Sequence, residues 1–113
     1  MNNTSCIVCA MKKDLSETCH IFFSTLANPA RLATLENLME GPRNVSEIAD
    51  ALKLEQSMVS HNLKPLVRCG FVHIQKKGKE RIYHLNRETF EAILNVIENH
   101  AQKYCPTGGR CQP

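Results

Sequence analysis

Apolar residues recur along most of this chain at helical spacing, and the breaks in that spacing mark out its elements. Leu15, Cys19, Phe22, Phe23 and Leu26 step along one face of a helix, predicting a first helix over 14–26. Asn28-Pro29 reads as an N-cap followed by proline at the first helical position. Leu32, Leu35, Leu38 and Met39 then give a second helix its buried stripe, and Gly41-Pro42 stops it. Asn44-Val45-Ser46-Glu47 has the form of a capping box. It opens a short helix ending near Leu52, with Ile48, Ala49 and Leu52 inward. Lys53-Leu54 makes the turn into a further helix over 56–69. Met58, Val59, Leu63, Leu66 and Val67 are its apolar positions, and Gly70 closes it.

After Gly70 the period changes. Phe71, Val72 and Ile74 precede the polar run KKGKER, and Ile82, Tyr83 and Leu85 follow it, which predicts a β-hairpin over 71–85 turning near Gly78. Helical spacing returns with Phe90, Ile93, Leu94, Ile97, Ala101 and Tyr104, predicting a terminal helix over 87–104. The fold expected is mainly α with one small β-hairpin. A flexible segment over 1–13 carries Cys6-Ile7-Val8-Cys9. The tail over 105–113 carries Cys105 and Cys111, with Pro106, Gly108 and Gly109 opposing any regular element.

Residues 44–69 have the order of a helix-turn-helix, and the hairpin directly after them is cationic. Net charge is only +3, so its placement matters more than its size. Lys76, Lys77, Lys79 and Arg81 stand against Glu80 alone within 76–81. A charged hairpin tip by itself is most simply a solvated turn. Beside a helix whose outward positions are Gln56, Ser57, Ser60, His61 and Lys64, it acquires another use. A major groove admits one helix, whose polar side chains meet base edges, and Gln56 is the best adenine reader among them. The wing cations supply affinity for phosphates whatever the sequence. A winged module binding protein instead of DNA needs neither feature, and remains the alternative on fold alone. No P-loop, HExxH, nucleophile elbow or glycine-rich dinucleotide turn occurs, so an enzyme is not expected. No apolar run is long enough to span a membrane, and the first residues lack a signal peptide's apolar core. The expectation is a cytoplasmic protein with no membrane partner.

The segment SMVSHNLKPL, the GFV after it and the wing KKGKERIYHL resemble the ArsR/SmtB family of metal-responsive repressors, over roughly residues 22–104. The resemblance implies a winged helix-turn-helix and a homodimer built on the first and last helices (14–26 and 87–104). It also implies double-stranded operator DNA, an inverted repeat, released when an inducer binds. The chain departs from the family pattern in three places. Lys53 stands where the turn usually has glycine, Glu55 replaces the usual serine cap, and Pro65 lies inside the second helix of the motif.

Two sensing sites that the resemblance brings with it are missing. The positions of a Cys-Val-Cys motif hold Asn44, Val45 and Ser46. Those of a terminal-helix metal site hold Arg87, Thr89, His100 and Lys103, so only His100 survives. Attention passes to the six cysteines, which without an export signal favour thiol or metal chemistry over disulfides. Cys6, Cys9, Cys105 and Cys111 are the candidate thiolate ligands, with Cys19 on the first helix as a further one. Thiolates select soft ions, here arsenite, Cd²⁺ or Zn²⁺. Two other readings stand beside this inducer site. One is a thiol-redox or persulfide switch, because Tyr104-Cys105 is similar to members that place a cysteine after an aromatic there. The other is a structural zinc site or terminal thiols without a role. Cys69, before the helix-ending glycine, and Cys19, on an apolar stripe, are each read as small core-filling side chains.

Overall fold

The structure, a computed structural model, describes residues 15–105, with side chains from His20 onward. Cys6, Cys9 and Cys111, and the segments expected to be flexible on either side, lie outside the described residues. The elements run α1 (Leu15–Leu26), α2 (Pro29–Leu38), α3 (Val45–Leu52), α4 (Gln56–Arg68), β1 (Val72–Lys77), β2 (Glu80–Leu85) and α5 (Arg87–Tyr104). The described residues are mainly α with one antiparallel hairpin, as expected.

Local chemistry sets the boundaries. Asn28 caps α2 through its side chain on the Arg31 amide, and Pro29 follows at the first turn. Asn44 and Glu47 complete a reciprocal capping box at 2.8 and 2.9 Å. Gly70 ends α4 at φ +83, with Phe71 N–H donating to Leu66 C=O at 2.9 Å and Gly70 N–H to Val67 C=O at 3.0 Å. That bond pair is the Schellman closure, which favours glycine at its left-handed residue. Gly78 takes the first position of the two-residue hairpin turn at φ +61, a conformation glycine adopts without strain.

The core lies where α2, α3, α4 and the wing meet. Leu35, Leu38, Ile48, Val59, Leu63, Leu66, Phe71 and Val72 are buried there. Tyr83, Leu85 and Phe90 close it from β2 and α5. Cys69 packs against this core half-buried, its Sγ 3.3 Å from Thr25 Oγ1, in keeping with a packing role. The main chain also ties the wing to the loop before α3, because Arg43 and Tyr83 exchange N–H···O=C bonds of 3.2 and 2.9 Å.

Several positions of the apolar stripes are exposed, Leu32 among them against expectation. Leu32 is 40% exposed and Met58 48%, and on the outer helices Phe23 reaches 61% and Ile97 53%. Helical spacing identifies an apolar face but does not say what covers it. On α1 and α5 that face looks into a groove of about 860 Å³, lined by Phe22, Phe23, Leu26, Phe90, Ile93 and Ile97 among others. Three buried polar residues, Thr25, Thr34 and Asn62, were hidden by the same pattern. Thr34 is accommodated because its hydroxyl donates to the Ala30 carbonyl one turn back, at 2.8 Å.

Candidate nucleic-acid interface

Helix α4 presents one polar face. Gln56, Ser57, His61 and Lys64 are exposed and Ser60 half-buried, while Val59, Leu63, Pro65 and Leu66 turn inward. The face is polar because those inward positions are claimed by α2, α3 and β1. At 13 residues and ~1.5 Å of rise each, α4 is about 20 Å long and of a thickness the major groove admits. Pro65 does not interrupt it: the helix runs on to Arg68 with proline buried. Glu55 makes no side-chain cap bond, as its poor capping chemistry predicts, so the first amides of α4 are left for solvent or an anion.

The sequence reading missed how α3 holds the start of this face. Gln56 Nε2 donates to Ser46 Oγ at 3.1 Å, which turns the Gln56 carbonyl oxygen away from α3. A Gln side chain meets adenine with an acceptor toward N6 and a donor toward N7, and one amide hydrogen remains for the latter. The turn between the two helices is set by Lys53, whose φ of +56 places a lysine in the left-handed region, as expected of a residue standing where glycine is usual.

The wing supplies charge. Lys76, Lys77, Lys79 and Arg81 are all exposed near its tip. Glu80, the one carboxylate among them, accepts from Asn44 Nδ2 at 3.0 Å. That bond ties the tip to the N-terminus of α3 and draws the negative group off the basic surface. The pairing of Asn44 with Glu80 spans 36 positions and carries no local signal in the sequence.

Of the cysteine candidates, Cys105 sits half-buried at the C-terminal end of α5, its N–H donating to the Ala101 carbonyl at 2.9 Å. Cys19 falls on α1 where only the backbone is described. Among the described residues no group of three or more His, Cys, Asp or Glu side chains gathers in a way that could hold a metal ion. The positions matching the terminal-helix metal site are otherwise engaged: Arg87 donates to the Met39 carbonyl and pairs with Glu91 at 3.3 Å, and His100 lies against Tyr104 with ring centroids 4.9 Å apart and the rings tilted by 40°. No helix among the described residues is long and apolar enough to cross a membrane.

A short brace helix, a tight left-handed turn, an exposed polar helix and a basic hairpin define a winged helix-turn-helix domain. A family model described as bacterial regulatory protein, arsR family, matches residues 28–73. The transcriptional regulator NmtR of Mycobacterium tuberculosis is 42% identical over 77 residues, 68% of this chain and 64% of that protein. The probable mercury resistance operon repressor of Streptomyces lividans is 37% identical over 62 residues, 55% of this chain and 50% of that protein. The crystal structure of Rv0081 from M. tuberculosis superposes with a TM-score of 0.71 at 33% identity, covering 80% of this chain and 92% of that one. The chain belongs to the arsR family, whose members are regulators and not enzymes. It spans slightly under two thirds of NmtR's length and half that of the mercury repressor.

Proposed function

We propose that this chain is a homodimeric repressor that binds a double-stranded operator and leaves it when a thiophilic ion or metalloid occupies its terminal cysteines. The observation that carries the reading is the joint surface of α4 and the wing. Gln56, Ser57, Ser60, His61 and Lys64 offer hydrogen bonds for base edges and phosphates, and the exposed Lys76, Lys77, Lys79 and Arg81 of the wing are assigned as phosphate contacts. The apolar groove between α1 and α5 supports the dimer, since a second copy placed across it buries Phe23 and Ile97, which solvent otherwise reaches. Two-fold pairing then matches an inverted repeat.

The inducer is assigned to Cys6, Cys9, Cys105 and Cys111, with Cys19 of α1 as a further candidate ligand. This part rests on the chemistry of thiolates toward soft ions and on the name of the mercury resistance relative. A ligand that binds the DNA-free form more tightly than the bound one shifts the population off the operator by that difference in affinity.

The test is a mobility shift on the duplex upstream of the chain's own coding sequence, titrated with arsenite, Cd²⁺, Zn²⁺ and polysulfide. Release by one of the ions, abolished in Cys105→Ser or Cys111→Ser proteins that still bind DNA, is the expected result. A double variant that responds like the parent overturns the C-terminal assignment. Release by polysulfide alone, in metal-free buffer, replaces ion sensing with thiol redox chemistry.

A further inference from the structure

The recognition surface uses the wing's tip but leaves its outer face unexplained. The register of β1 and β2 sets His73 directly opposite His84. Their rings lie 3° from parallel with centroids 5.3 Å apart. Cross-strand partners share one face of a hairpin, and Gln75 lies on that face two residues along β1. Gln75 Oε1 stands 2.9 Å from His84 Nε2. In the tautomer that carries its proton on Nε2, His84 donates to this amide oxygen and leaves Nδ1 as an acceptor. This is how metal-binding imidazoles are prepared elsewhere: the second ring nitrogen donates to a carbonyl, which fixes the tautomer and the ring's direction.

We propose that His73 and His84 form a two-imidazole site for a borderline divalent transition ion, with Zn²⁺ or Ni²⁺ as its natural probes. The site is independent of the terminal thiols and of the repressor reading. Imidazole suits both ions, and because thiolates also take Zn²⁺ the terminal cysteines compete for it. Zn–N bonds of ~2.0–2.1 Å ask for donor nitrogens roughly 3 Å apart. His73 is exposed, so its ring can turn toward His84, which Gln75 holds. Exposure also leaves the remaining coordination positions to water. An ion bridging the strands ties β1 to β2, and a two-stranded sheet, marginal by itself, gains most from such a tie.

The experiment uses the full chain with serine at Cys6, Cys9, Cys105 and Cys111, so that the terminal thiols do not compete for the ion. Two-bond proton–nitrogen spectra of the imidazoles are recorded as Zn²⁺ is added. Before addition His84 shows the Nε2–H tautomer. Through the first equivalent, Nδ1 of His84 and one nitrogen of His73 shift together. His73→Gln abolishes the His84 response, and Gln75→Leu weakens Zn²⁺ binding by about tenfold. Both substituted side chains are exposed, and the backbone amide spectrum verifies that each variant is folded. A His84 ring that responds equally well in the His73→Gln protein, or rings that stay silent to Zn²⁺, overturns the proposal and leaves a stacked pair only.

Discussion

At the scale of single residues, backbone conformation makes the sharpest demand at Lys53. A side chain at φ +56 brings Cβ against the following carbonyl, at about 1–2 kcal/mol for an L-residue. The structure holds it there because Leu54 N–H donates to the Ala49 carbonyl at 3.0 Å, closing α3 so that α4 can start at the required angle. Lys53→Gly relieves that strain and returns part of the gain as unfolded-chain entropy. The variant is expected to be more stable by about 1 kcal/mol, read as a higher urea midpoint at unchanged slope. An unchanged or lower midpoint means the turn is not left-handed in solution. Lys53 was legible only through the family resemblance, which puts glycine at this turn. Ser46 was not, because its bond to Gln56 crosses between helices and only their packing reveals it.

At the scale of elements, the wing is the part whose chemistry is most separable from the rest. Its basic side chains are exposed, so removing one alters charge and little else. Each phosphate neutralised releases about 0.9 counterion from a duplex. Lys77→Ala is therefore expected to weaken binding to specific and nonspecific duplexes alike, and to lower the slope of log K against log salt by about one. Fluorescence anisotropy at several salt concentrations measures both quantities. An intact slope removes Lys77 from the interface, and a loss confined to the specific duplex makes it a base reader instead. The hairpin itself was legible because its period differs from that of the helices around it and because Gly78 marks the turn. Counting outward from that turn also pairs His73 with His84, so the signal for the imidazole pair lay in the sequence. The bond from Asn44 to Glu80 had no such signal, since pairing across helix and wing obeys no period.

At the scale of the whole molecule, the exposed apolar faces decide how copies associate. The sequence assigned Phe23 and Ile97 to the apolar stripes of the first and last helices, and the family resemblance made those helices the contact between copies. The described chain leaves them at the rim of one groove between α1 and α5, where an apolar lining of this extent is what an association surface offers. Because solvent already reaches these side chains in the single chain, a charge at either position leaves the protomer's own core intact. In a dimer closed across the groove, the same carboxylate is taken from water without a partner, a penalty of several kcal/mol. Phe23→Glu and Ile97→Glu are each expected to raise the dimer dissociation constant by about 100-fold or more. Sedimentation velocity at micromolar protein then shows monomers with unchanged helical circular dichroism. Operator affinity falls with it, because two reading heads held at a fixed spacing engage an inverted repeat far better than either does alone. Should both variants remain dimeric, the groove is not the contact between copies. The spacing of the two α4 helices on DNA must then be set by some other surface.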